Sequence, residues 1–241
     1  MLQEEFQLLR DFIYEKTGIF YADGKKYLLE NRLRNRLNET GVTTFESYYH
    51  FIRYSDPHGR ELHRVFDVVT TNETYFFRNQ QQLESFKNVM RQRVEGSRMN
   101  SPLRIWSAGC ATGEEAYTLA ILLHQLQEEV STNFSFIITA TDISINSLEA
   151  ARRGIFNAYA MRNVPQELRD RYFSSHNGCH AISDEIKKNV RIDFMNLNDS
   201  SSYRQYNHMD AIFCRYVLIY FDEVAKRKVL DKLCNCLRPG G

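Results

Sequence analysis

The residues Trp106-Ser107-Ala108-Gly109-Cys110-Ala111-Thr112-Gly113-Glu114-Glu115 lie between an apolar run, Leu103 to Trp106, and a helical stretch that opens Ala116-Tyr117-Thr118-Leu119. A strand, a glycine turn and a helix start make a ligand site. Glycine lets the backbone come close to a ligand, and the first N–H groups of a helix lack partners. The glycines are not spaced G-x-G-x-x-G, and no Lys-Ser/Thr follows Gly113. That argues against a dinucleotide fingerprint and against a phosphate-binding loop. Glu114 and Glu115 stand where a phosphate would have to bind; they repel an anion and suit a cation. A positively charged nucleoside such as S-adenosylmethionine therefore fits this turn better than ATP or NAD.

Three more segments could share the site. Asp142 follows the apolar run 135–140, and ligands of open α/β sheets bind at the carboxyl ends of strands. A carboxylate there can accept hydrogen bonds from both ribose hydroxyls. Asp142 could also cap the helix 144–152; both roles are met if Ser144 is the cap. Asn196-Leu197 follow the run 190–194 and could face an adenine. Arg215 and Tyr216 follow the run 209–214, an unusual ending for a purely structural strand. His176, Cys179 and His180 read as a mixed polar loop rather than a metal site, because no second ligand pair accompanies them. Trp106 reads as core, and Cys214 as a small buried hydrophobe rather than a nucleophile.

The elements that must position these groups are legible as periodicities. Phe6, Leu9, Phe12 and Ile13 recur at helical spacing, as do Leu29, Leu33 and Leu37 within 25–37. Phe45, Tyr48, Tyr49 and Ile52 predict a third helix, and Leu62, Val65, Phe66 and Val69 a fourth. Thr70-Thr71-Asn72-Glu73-Thr74 breaks the pattern and reads as a linker over 70–79. Beyond it, helices are predicted at 80–95, 114–130, 144–152 and 222–236, alternating with strands at 103–107, 135–140, 190–194 and 209–214. Such alternation implies a mainly parallel sheet covered by helices on both faces. Residues 155–189 read as a small β-rich insertion with a hairpin turn at Asn177-Gly178. The turn signal Leu237-Arg238-Pro239-Gly240-Gly241 predicts a domain that continues into further C-terminal strands.

Composition narrows the class. Of the 241 residues, 43% are hydrophobic, enough for a sizeable core, and the net charge of +1 gives no global electrostatic case for nucleic acid or a membrane surface. The five cysteines are odd in number and form no C-x-x-C pair, which predicts a reduced, cytoplasmic protein. The N-terminus alternates acidic and apolar residues, unlike a signal peptide, and no apolar run is long enough to span a bilayer.

Thr71-Asn72-Glu73-Thr74-Tyr75-Phe76-Phe77-Arg78, the glycine turn 106–115, Ala140-Thr141-Asp142-Ile143-Ser144, Ala151-Arg152-Arg153-Gly154-Ile155-Phe156, Asn196-Leu197 and Ile212 through Asp222 cover nearly the whole chain in one order. In that order they resemble the CheR family of chemotaxis receptor methyltransferases. The resemblance implies an α/β fold: an all-helical N-terminal domain (1–69), the linker, and a Rossmann-like class I methyltransferase domain (80–241) with a β-subdomain insertion. It implies methyl transfer from S-adenosylmethionine, with S-adenosylhomocysteine as product, to glutamate side chains on cytoplasmic helices of chemoreceptors. Asn72, Thr74 and Arg78 match the linker motif that closes over the cofactor. Gly109 and Glu114 match the glycine turn, Asp142 the ribose ligand, Asn196 and Leu197 the adenine side. Arg215 matches the arginine after the fourth strand, and Tyr220 a tyrosine near the transferred methyl. Where the family has Asn after that arginine, this sequence has Tyr216, whose ring is expected to lie along the adenosyl pocket beside Leu197.

The chemistry agrees. A glutamate has a reference pKa of about 4.3, so it is already an anionic nucleophile near neutrality and needs no general base. Arg78 and Tyr220 are the expected catalytic pair, Tyr220 by a neutral hydrogen bond to the carboxylate, Arg78 mainly by positioning. Lys25, Lys26, Arg32, Arg34 and Arg36 stand against a single Glu30 in one helix. A charged face is usually just solvated, but the resemblance gives Arg32, Arg34 and Arg36 a use in docking acidic receptor helices. The single glycine in Ser174-Ser175-His176-Asn177-Gly178-Cys179-His180 matches the branch that uses no receptor pentapeptide tether. A nucleic-acid methyltransferase has only the basic helix in its favour, and a non-catalytic adaptor has Tyr216.

Overall fold

The computed structural model describes residues 1–96 and 101–241. Four helices build the N-terminal unit: α1 (Gln3–Thr17), α2 (Lys26–Thr40), α3 (Phe45–Tyr54) and α4 (Arg60–Val69). Their apolar stripes meet in one core around Phe6, Leu9, Ile13, Leu29, Leu33, Tyr48 and Val65, all fully buried. Helix α2 runs three residues past the expected end, through polar Asn38-Glu39-Thr40. It stops where Gly41 at φ +72° supplies the left-handed residue that ends a helix.

The basic residues of α2 do not form the shared outward face expected of them. Arg36 donates from Nε and Nη2 to the two carboxylate oxygens of buried Glu61, at 2.9 and 2.8 Å, and Tyr48 donates to the same carboxylate at 2.6 Å. Arg32 donates to the carbonyls of Val69 and Thr70 and, at 2.6 Å, to Thr71 Oγ1. It caps the end of α4 and ties down the start of the linker. Arg34 alone of the three is exposed, paired with Glu30. An apolar stripe fixes which residues point inward, and a long cationic side chain can still curl back from its flank.

The remainder runs α5 (Gln80–Glu95), β1 (Leu103–Ala108), α6 (Glu114–Glu129), β2 (Phe136–Asp142), α7 (Ile145–Arg153), β3 (Ile155–Asn157), α8 (Gln166–Tyr172), β4 (Phe173–His176), β5 (Cys179–Ile182), α9 (Asp184–Lys187), β6 (Val190–Phe194), β7 (Ala211–Phe213) and α10 (Glu223–Cys236). The main sheet is parallel, in the order β6-β2-β1-β7. Its register sets Leu103 against Phe136 and Asp142 against Phe194. Strand β7 is shorter than expected, and past it the chain returns through a single parallel bridge, Met209 to Leu237. Trp106 is core, stacked on Tyr206 at 4.6 Å and donating to Thr141 Oγ1. A second, antiparallel sheet, β3-β5-β4, lies within the expected insertion. Its turn has Asn177 at φ +50° and Gly178 at φ +75°, the primed geometry that Asn-Gly favours. His176 and Cys179 face each other across that hairpin, and His180 Nδ1 lies 2.8 Å from Ser175 Oγ.

The linker is packed rather than free. Phe76 is fully buried, edge-on to Phe156 and Phe173 at 4.7 and 5.1 Å, and its N–H donates to the Ala160 carbonyl. Asn72 Nδ2 donates to Ser147 Oγ at 2.8 Å. Further ties join the helical unit to the sheet. Asp67 Oδ1 accepts from Ser144 Oγ and the Asn146 N–H, Tyr14 donates to Asp222, and Ile19 bridges Phe221. No helix among the described residues is long and apolar enough to cross a membrane.

Candidate active site

A cavity of about 1000 Å³, counting its open mouth, lies at the carboxyl ends of the parallel strands. Its wall collects Gly109, Asp142, Asn196, Leu197, Arg215, Tyr216 and Tyr220 from the sheet side, and Asn72, Thr74 and Arg78 from the linker. The helical unit adds Thr17 and Ile19, which nothing in the sequence marked. The sheet-side segments meet here because each follows a strand end, and strand ends of a parallel sheet share one edge.

The glycine turn works differently from the sequence expectation. Gly109 is at φ +85°, and a Cβ there would sit 2.3 Å from Val217 Cγ2; at Gly113, φ +97°, it would sit 2.9 Å from Ala151 Cβ. These glycines therefore seat the turn against the segment after β7 and against α7. The N–H groups of Gly109 and Cys110 donate to the Thr141 carbonyl at 2.7 and 2.9 Å, and that of Ala111 to Asp142 Oδ2 at 2.9 Å. The turn spends its donors on the neighbouring strand. It offers a ligand the Glu115 carboxylate instead, which suits a cation.

Asp142 stands at the end of β2, 7% exposed, with Oδ1 accepting from the Ser144 N–H at 2.9 Å. Ser144 is the helix cap, its hydroxyl accepting from the Ser147 N–H. Glu115, not Glu114, is the acidic residue of the turn that reaches the wall. Adjacent helical residues point about 100° apart, so one of the pair must face away. Glu114 turns inward, 4% exposed, and accepts from Thr112 Oγ1 at 2.6 Å. Burial pushes the carboxyls of Asp142 and Glu115 above the ordinary range. Backbone N–H groups oppose that at Asp142; the Ser107 hydroxyl and then Arg215 oppose it at Glu115. Burial, with the Glu115 charge second, pushes the Cys214 thiol up to about 12, so it is no nucleophile at neutral pH.

Arg215 Nη1 lies 3.5 Å from Glu115 Oε2, and Nη2 donates to the Arg78 carbonyl. Its Nε is buried with no partner among the described residues. A carboxylate and a guanidinium with an unused donor, side by side, match the ammonium and carboxylate of an amino acid. The residues thus fit the amino-acid end of S-adenosylmethionine at Glu115 and Arg215 and its ribose at Asp142. Asn196 is partly committed elsewhere, with Nδ2 donating to the Lys16 carbonyl at 2.6 Å. Tyr216 does not bury its ring as expected. It is 44% exposed, held at φ +60°, with the Arg78 guanidinium carbon 3.6 Å from its ring centroid.

A parallel sheet with a cation-suited cavity at the carboxyl ends of its strands places the chain among α/β ligand-binding proteins. Residues 72–241 match the family model described as CheR methyltransferase, SAM binding domain, and residues 4–70 match CheR methyltransferase, all-alpha domain. Chemotaxis protein methyltransferase 2 of Vibrio cholerae is 35% identical over 98% of this chain and 82% of its own length. Chemotaxis protein methyltransferase of Borreliella burgdorferi is 34% identical over 98% and 84%, and chemotaxis protein methyltransferase 1 of Pseudomonas aeruginosa 33% over 98% and 86%. The chain belongs to the CheR methyltransferase family. It is an S-adenosylmethionine-dependent methyltransferase, with an all-helical N-terminal domain and a class I methyltransferase fold.

Proposed function

We propose that the chain methylates glutamate side chains on the cytoplasmic helices of chemoreceptors, giving γ-glutamyl methyl esters. The observation that carries this reading is the make-up of one wall: the carboxylates of Glu73, Glu115 and Asp142, the guanidiniums of Arg78 and Arg215, and Tyr220, with no histidine among its described residues. Each of those carboxylates is already engaged, Glu73 by the Tyr159 hydroxyl, Glu115 by the Ser107 hydroxyl and Arg215, and Asp142 by backbone N–H groups, so the wall suits a nucleophile that is already an anion. Bound at this wall, S-adenosylmethionine supplies an electrophilic methyl group on a positively charged sulfur. The wall would present that methyl group to a substrate carboxylate, which needs no proton removed before it accepts it. Opposite charges cancel in that step, so a site that excludes water favours it. Glu115, Asp142 and Arg215 hold the cofactor end, and alignment is the main task left to the protein, worth roughly 7–11 kcal/mol in well-ordered cases. Tyr220 orients the carboxylate by a neutral hydrogen bond, which leaves its nucleophilicity intact. Arg78 closes the cavity from the linker.

Asn72, Thr74, Asn196 and Leu197 complete the cofactor wall in this reading. Arg34 is the exposed member of α2 that remains for docking an acidic helix. The β4–β5 hairpin, with its two-residue turn, fits an enzyme that works without a pentapeptide tether. The test is incubation with cofactor tritiated at the methyl group and a receptor cytoplasmic domain. Label that mild base releases as methanol is expected; no label, or label stable to base, sinks the reading.

A further inference from the structure

Five residues around the linker close a circuit. Arg162, in the connection between β3 and α8, lies against two rings, its guanidinium carbon 3.3 Å from the Tyr75 centroid and 3.7 Å from that of Tyr159. Tyr159 donates its hydroxyl to Glu73 Oε1 at 2.8 Å. Arg78 donates from Nη1 to the Glu73 carbonyl at 2.8 Å, and its guanidinium carbon is 5.3 Å from the Tyr75 centroid. Glu73, Tyr75 and Arg78 stand in the cavity wall; Arg162 and Tyr159 do not. Arg162 is exposed, so its own burial does not account for the contacts.

A free arginine side chain at a cavity mouth samples many rotamers, and transfer of a methyl group demands one geometry. Each link of the circuit removes some of that freedom. Tyr75 takes a guanidinium from each side chain, so Arg162 also repels Arg78 and disfavours its folding back toward the β3–α8 connection. What remains for Arg78 is the cavity and the Tyr216 ring. We propose that Arg162 is a positioning residue for methyl transfer, holding the Arg78 guanidinium in the cavity wall through Tyr75 and Glu73. The proposal rests on the reading of Arg78 as part of the reacting site.

The test uses the full chain with Arg162→Met, which keeps an unbranched stem and removes the charge, and Arg162→Lys, which restores the charge. Receptor methylation kinetics, S-adenosylhomocysteine affinity and thermal midpoint are measured for each. In the Met variant kcat is expected to fall about tenfold or more, with receptor KM and product affinity within about twofold, as for a misplaced group. Lys should recover most of the loss. Amide exchange of residues 74–78, followed with S-adenosylhomocysteine and no receptor, should speed up in the Met variant. A raised receptor KM that loses its salt dependence would make Arg162 a docking group and overturn the proposal. Unchanged kcat with unchanged exchange would overturn it as well. If wild type labels no receptor, the functional reading fails by itself, and exchange at 74–78 still decides whether Arg162 holds the segment.

Discussion

Glu115 and Asp142 carry charge in a wall that penalises charge. Their folded pKa values lie above the unfolded ones, so ionisation costs stability. That cost is absent below the unfolded value, about 4.3 for a glutamate, and fully present above the folded one, so each group lowers stability as pH rises through that window. Binding a cation reverses the balance. Glu115→Gln is therefore expected to keep or raise the thermal midpoint at neutral pH while weakening S-adenosylhomocysteine binding by about 1.5–3 kcal/mol, the worth of a charge-assisted bond. In wild type the affinity should fall as pH drops through the raised Glu115 value, and calorimetry should find a shallower fall in the variant. Identical pH curves would show that Glu115 does not hold the ligand. Tyr216 raises a different balance at the same scale. A left-handed non-glycine residue costs roughly 1–2 kcal/mol, which asparagine bears better than tyrosine. Its contact with Arg78 is worth about 0.5–2 kcal/mol, enough to offset that cost.

Helix α2 shows how a charged element can be structural. Arg36 and Glu61 are 11% and 10% exposed at their side chains and doubly bonded, with Tyr48 as a third member. Removing one partner strands the other charge, at about 3–5 kcal/mol. Urea denaturation of Arg36→Ala should show a loss of that size, while Arg34→Ala, at an exposed pair, should stay within about 0.5 kcal/mol. A wild-type midpoint for Arg36→Ala would mean that the pair contributes nothing. Helical spacing picked out the buried stripe Leu29, Leu33 and Leu37 because apolar burial repeats every turn. It gave no sign of Arg36, since a side chain this long finds its partner on another helix, not at a fixed offset.

At the scale of the molecule, the cavity belongs to both domains: Thr17 and Ile19 share a wall with Asp142 and Arg215. Asp67, Tyr14 and Asn196 carry hydrogen bonds across the same boundary. A ligand seated there should stabilise the two domains together. With S-adenosylhomocysteine at about a hundred times its Kd, the gain should be about 2.7 kcal/mol, in one calorimetric transition. Amides of residues 17–20 should gain protection along with those of 217–221. Protection confined to the sheet domain would show that the helical domain does not help to build the site.

The sequence determined the layout: four amphipathic helices, then alternating strands and helices, a hairpin at Asn177-Gly178, and Asp142 and Arg215 at strand ends. Those features rest on local periods and turn chemistry, which a chain carries without its partners. Tertiary structure decided the rest. It chose Glu115 over Glu114, because helix rotation against the core sets which neighbour faces the cavity. It turned the glycines toward Val217 and Ala151, and packed the linker through Phe76 into the core. It brought Tyr75, Arg78 and Arg162 together from segments whose spacing says nothing of contact. Each of those outcomes depends on which surfaces meet, and that is settled by packing between elements rather than within them.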